Sequence, residues 1–278
     1  MKWKNARQSS NIEDQRGRGV VVGGGIGIGT LILGAIIYFM GGDPTVVLQQ
    51  PGGVPSSQSR PSAGAGANDE EKQFVASVLG DTEDTWGELF RRRGRRYTPP
   101  KLVLFSDRVQ SACGIAGSAT GPFYCPGDQK VYIDLAFFRE LRKNYGAPGD
   151  FAQAYVIAHE VGHHVQNELG TMDKVNSLQQ RASEKQANAL SVKLELQADF
   201  YAGVWAHYAQ KRGLLERGDI EEALGAASAV GDDRLQQQAQ GYVVPDSFTH
   251  GSSRQRQEWF TRGFQSGDMT KGDTANVR

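Results

Sequence analysis

Residues 158–166 read AHEVGHHVQ and place three of the chain's five histidines beside one glutamate. His159 and His163 are four apart, so on a helix they share one face, one turn apart. Two imidazoles so placed can each present a ring nitrogen to one metal ion at about 2.0–2.1 Å. Glu160 is rotated about 100° from His159, beside the ion instead of on it, where it can serve as general base toward a water. That is the H-E-x-x-H pattern, with zinc as the metal. His164 lies about another 100° round, off the metal face, and reads as a structural histidine within reach of Glu160 or Glu168. Gly162 costs about 1 kcal/mol relative to alanine inside a helix, which implies that another element approaches closely there.

A catalytic zinc takes three protein ligands and keeps one position open. The extended motif H-E-x-x-H-x-x-G-x-x-H needs a glycine and a histidine where this chain has Gln166 and Leu169, so that class is excluded. A glutamate from a later helix is the other common solution. In SVKLELQADFYAG (191–203), Glu195 and Asp199 are four apart and border an apolar stripe of Leu194, Ala198, Tyr201 and Trp205. Carboxylates beside a buried stripe need partners. Glu195 therefore reads as the third ligand, with Glu184 as its rival. Asp199 reads as the acceptor for the far nitrogen of a metal-binding histidine. A solvated acidic face is the plainer alternative. Attack of an activated water on a carbonyl would also need a donor to the oxyanion. His250, in SFTHGSSRQRQ just before a helix start, is the candidate, with Arg254 and Arg256 behind it; a capping or surface role is the alternative. His207, mid-helix, reads as structural. A metal of purely structural role would make the body an inert binding or assembly module, but it would need a fourth protein ligand, and His164 is badly placed to be one.

The elements that must position these groups are mostly helical. Asp150 followed by Gln153 is an N-cap signal, apolar residues recur at helical spacing to Leu169, and Gly170 fits the C-terminal end. Residues 173–212 read as helix in two pieces, and further helices start near Asn68 (with a break at Gly80–Asp81), Asp134, Asp219 and Ser252. KLVLF (101–105) reads as a strand. GPFYC and KVYID flank the turn PGDQ and read as a hairpin, Gly121–Asp134, along which an extended substrate could add as a strand. Cys113 and Cys125 would form one disulfide in an oxidising compartment. The fold class expected is α+β, with a mostly helical domain and a small sheet.

The 278 residues carry no net charge. Residues 1–19 hold five basic and two acidic side chains, which leaves the remainder mildly acidic with no reason to expect a nucleic-acid partner. Val20–Met40 is 21 residues without a charge, enough helix to span roughly 30 Å of hydrocarbon. It reads as an uncleaved single-pass anchor, with residues 1–19 a cytoplasmic basic tail and the rest extracytoplasmic. Gly23/Gly27 and Gly25/Gly29 have the spacing of weak self-association through such a span. Residues 41–67 read as a Gly/Pro/Ser linker, 68–266 as the catalytic domain and 267–278 as a disordered tail. RRRGRR (91–96) reads as a solvated face.

HEVGHH followed by ELQAD resembles the glutamate-ligand zinc peptidases. More closely, MKWKNARQSSNIEDQRG, the apolar span, GPFYCPGDQKVYIDLAFF, AHEVGHHVQ, LELQADFYAG and THGSSRQRQEWFTRGF resemble the bacterial membrane-anchored putative neutral zinc metallopeptidase family. The resemblance covers nearly the whole chain outside linker and tail. It implies a zincin-like endopeptidase domain with zinc on His159, His163 and Glu195 and with Glu160 catalytic; protein or peptide substrates are the expectation for that chemistry, and the inner membrane is the location expected from the apolar span.

Overall fold

The structure, a computed structural model, describes residues 1–17, 69–143, 146–147 and 149–275. The expected anchor at 20–40 and linker at 41–67 lie outside the described residues. Among the described residues, no helix is long and apolar enough to cross a membrane.

Six strands and eight α-helices are described: β1 (Ile12–Asp14), α1 (Glu70–Arg92), β2 (Lys101–Phe105), β3 (Arg108–Ser111), β4 (Gly114–Gly117), β5 (Phe123–Cys125), β6 (Lys130–Asp134), α2 (Leu135–Lys143), α3 (Asp150–Glu168), α4 (Thr171–Gln179), α5 (Glu184–Lys211), α6 (Asp219–Ala229), α7 (Asp232–Gln240) and α8 (Ser253–Ser266). The expected α+β class holds. The main sheet has the order β1-β2-β6-β5, with β1 and β6 parallel to β2 and β5 antiparallel to β6. The expected hairpin is β5–β6, and β5 is one edge of the sheet, with β1 at the other. A second hairpin, β3–β4, was not foreseen.

α1 starts at Asp69, whose carboxylate accepts from the Lys72 amide at 3.1 Å. It carries acids in its first turn and arginines in its last, the order that suits the helix dipole. The expected break at Gly80–Asp81 does not occur. Gly80 serves packing: a Cβ there would lie 2.5 Å from the Arg7 carbonyl oxygen, so only glycine lets the N-terminal segment lie against the helix.

That contact corrects the reading of residues 1–19 as a separate tail. Trp3 packs edge-on against Phe74 at 5.5 Å, β1 joins the sheet through β2, and Arg16 pairs with Asp14 and Asp69. The Met1 ammonium lies 2.6 Å from Asp150 and 3.5 Å from Asp219. The expected tail beyond Gly267 is also corrected as far as residue 275. Met269 is buried, and Thr274 donates to the Lys193 carbonyl at 3.0 Å.

α3 runs through the core, with Phe151, Ala154, Tyr155, Ala158, Val161 and Val165 almost without solvent contact. Each large side chain so buried contributes about 1.5–3 kcal/mol. α5 crosses α3 at Gly162, where a Cβ would stand 2.9 Å from the Ala198 carbonyl oxygen. This is the close approach that the mid-helix glycine implied. α8 presses on the far side of α5, where Gly203 and Gly263 bring the backbones into contact.

Candidate metal centre

The i, i+4 spacing on α3 sets the His159 and His163 rings 4.8 Å apart between centroids, at an interplanar angle of 86°. α5 delivers Glu195 between them. Its Oε2 lies 3.1 Å from His159 Nε2 and its Oε1 3.4 Å from His163 Nε2. The three residues offer ligand atoms all within 4.8 Å of one another. Two imidazoles and one carboxylate converging on a point is the donor set of a catalytic zinc, and the residues fit that ion.

The outward ring nitrogens are held as well. His159 Nδ1 lies 2.8 Å from Asp199 Oδ1, and His163 Nδ1 lies 2.9 Å from Gln166 Oε1. Both acceptors require N–H at Nδ1, which leaves each Nε2 lone pair for the ion. Gln166 is itself fixed, donating 2.7 Å to the Leu194 carbonyl and 3.1 Å to Gln197 Oε1.

Electrostatics point the same way. Burial works to lower the His159 pKa, yet Asp199 and Glu195 outweigh it and push it up to about 10. Burial works to raise Glu195 and Asp199, and the cations outweigh it: His163 and His159 hold Glu195 well below the usual range, while Arg256 and His159 lower Asp199. The carboxylates at the two ring nitrogens of His159 thus favour positive charge at that position. Glu160, 7% exposed, has its carboxyl raised by burial, against the pull of the two histidines.

The remaining sequence candidates fall on both sides. Asp232 accepts from the amides of Thr249, His250 and Gly251, and its Oδ1 lies 3.1 Å from His250 Nδ1. This turns His250 Nε2 away from Asp232. Gly251 stands against α5, where a Cβ would meet Val192 and Leu196 at 3.2 and 3.3 Å, so the loop lies beside Glu195. Arg254 is exposed and pairs with Glu258 at 2.8 Å, away from the centre. Glu184, the rival ligand, opens α5 three turns before Glu195 and is not part of the cluster. His164 is fully buried, but its partners are the Tyr124 hydroxyl at 3.1 Å and the Thr98 carbonyl at 2.7 Å, not the neighbouring carboxylates. His207 Nδ1 meets the Phe264 carbonyl at 2.8 Å, a structural contact. Cys113 and Cys125 are bridged, which ties the β3–β4 turn to the end of edge strand β5.

Two residues of the centre escaped sequence reasoning, and a third takes a role the sequence did not assign it. Tyr155 donates to Asp199 Oδ1 at 2.5 Å, and its spacing of four from His159 was an available signal. Gln166, three after His163, was available in the same way. Arg256, a rival oxyanion donor in the sequence reading, grips Asp199 with Nε at 2.8 Å, and nothing local in the sequence announces that.

Comparison with known proteins places this arrangement in a wider set. The family described as "Putative neutral zinc metallopeptidase" matches residues 1–275. The chain is 50% identical to the uncharacterised protein YpfJ of Escherichia coli over 285 aligned positions, covering 99% of this chain and 98% of the relative. It is 43% identical over 255 positions to an uncharacterised protein of Mycobacterium tuberculosis, covering 84% and 83%. No solved structure matches the chain.

Proposed function

From the premise that the chain belongs to the putative neutral zinc metallopeptidase family, we propose that it hydrolyses peptide bonds of protein or peptide substrates at the centre formed by His159, His163 and Glu195. The observation that carries this reading is the convergence of those three side chains with buried Glu160 beside them. Bound zinc supplies Lewis acidity there, polarising a carbonyl and bringing the pKa of a water to near 7.

The chain's own residues do the rest. Glu160 takes a proton from the attacking water and returns it to the leaving amine, so one carboxylate serves as base and then as acid. Burial suits it to both, because a raised pKa holds the proton between the two steps. His250 faces the developing oxyanion with Nε2 while Asp232 holds its other nitrogen. The His250 pKa is raised, since Asp232 outweighs the effect of burial, and this favours the doubly protonated donor. Substrate adds as a strand to β5, the sheet edge next to β6. The Tyr124–His164 hydrogen bond anchors that edge to α3, and so to the metal ligands.

Incubating the protein with a denatured substrate, with and without a chelator, tests the proposal. Cleavage that stops on chelation and returns with zinc is expected. Cleavage indifferent to the chelator, or a folded protein that binds no zinc, overturns it.

A further inference from the structure

A fully buried guanidinium is costly unless its charge and hydrogen bonds are matched. Arg256, on the first turn of α8, is 3% exposed. Its Nε lies 2.8 Å from Asp199 Oδ2 and its Nη2 3.0 Å from Oδ1, a two-pronged grip on one carboxylate. Asp199 Oδ1 also receives the Tyr155 hydroxyl and His159 Nδ1. Nη2 lies 3.3 Å from the Tyr155 hydroxyl oxygen. It is also 3.3 Å from His159 Nδ1 and 3.4 Å from Nε2, near-equal distances that put it against the ring instead of in line with either nitrogen. Glu195 Oε2 is 3.7 Å away. One side chain from the C-terminal helix therefore touches the first ligand, that ligand's acceptor and the third ligand.

We propose that Arg256 is a positioning residue of the metal centre: it clamps Asp199 in the orientation that fixes the His159 tautomer. The inference rests on the zinc-centre reading above. Without Arg256, Asp199 Oδ2 loses its partner in a pocket closed to water, and the carboxylate is free to turn. The His159 ring then loses the constraint that aims Nε2 at the ion. Lysine restores the charge but not the fork, because an ammonium is a point donor.

The molecule carries its own control. At the far end of α5, Arg212 grips Asp81 by the same fork, at 2.8 and 2.6 Å, with Trp205 Nε1 on the same carboxylate. That pair is remote from the ligands, so it reports what losing an Arg–Asp fork does to stability alone.

The test compares the full-length wild type with Arg256→Gln, Arg256→Lys and Arg212→Gln. Zinc affinity is read by competition with a chromophoric chelator, site geometry by the visible spectrum of the cobalt-loaded protein, and stability by melting without metal. Arg256→Gln is expected to weaken zinc about 10–100-fold and to alter the cobalt spectrum. Arg256→Lys should recover part of the affinity while the spectrum stays altered. Arg212→Gln should lower the melting temperature and leave both metal readings as in wild type. A folded Arg256→Gln with wild-type affinity and spectrum overturns the proposal. So do equal metal losses in Arg212→Gln, and so does failure of both Arg256 variants to fold, which would assign the residue to the fold. A wild type that binds neither ion refutes the zinc-centre reading instead.

Discussion

Replacing Gly162 by alanine sets two effects of known size against each other. Helix propensity favours alanine by about 1 kcal/mol. The new Cβ, however, would stand 2.9 Å from the Ala198 carbonyl oxygen and 3.2 Å from its Cα, where ordinary contact begins at 3.4 Å. The obstacle is backbone, so α5 must retreat by about 0.5 Å, the tolerance within which a functional constellation has to be held. Overpacking of this kind costs about 1–3 kcal/mol. Gly162→Ala is therefore expected to leave the metal-free protein unchanged or up to about 2 kcal/mol less stable. Ala198 lies between Glu195 and Asp199, so the retreat carries the third ligand and the His159 acceptor away from α3. Zinc affinity should fall about tenfold, equivalent to about 1.4 kcal/mol. Chemical denaturation without metal and a competition titration with metal measure the two effects. A variant about 1 kcal/mol more stable with unchanged zinc affinity would mean that propensity alone decides, and the close approach would be irrelevant to the site.

Other perturbations act on single links. Gln166→Leu removes the acceptor of His163 Nδ1 and should weaken zinc about 10–100-fold in the same titration; unchanged affinity would release Gln166 from that role. Changing Cys113 and Cys125 together to serine opens a short loop, for which about 3 kcal/mol is expected as a lower stability under oxidising conditions, and equal melting would count against the brace. Glu13 has its pKa lowered by Lys130 and Lys101, so its contribution is present above the unfolded carboxylate pKa and is lost as pH falls through the folded one. The melting-temperature gap between wild type and Glu13→Gln should accordingly close on acidification from pH 6 to pH 3; a constant gap would refute the pairing of β1 with the body.

What the sequence disclosed follows how local each signal is. His159, Glu160 and His163 lie within one helical turn and a half, so spacing alone orients them. Glu195 and Asp199 showed themselves as carboxylates beside an apolar stripe, although the helix that bears them is distant in the chain. The Gly162 crossing was legible because a mid-helix glycine needs a cause. Gly80 had the same kind of cause and was misread as a break, since the segment that leans on it, Arg7 to Ser9, belongs to residues 1–17, which resemble a polar tail when read alone. β1 has three residues and pairs with partners ninety positions later, and no periodicity reveals such a match. Arg256 was legible as a charge near a helix start, but the side of His159 it occupies depends on how α8 packs on α5 through Gly203 and Gly263.

The most direct measurement pairs zinc content with turnover in wild type and Glu160→Gln. A peptidase that uses Glu160 to move the proton predicts zinc retained in both proteins, with cleavage of a denatured substrate reduced in the variant by about 10²–10⁴-fold. Equal cleavage by the two proteins, or a zinc-loaded wild type that cleaves no member of a broad peptide library, would contradict it.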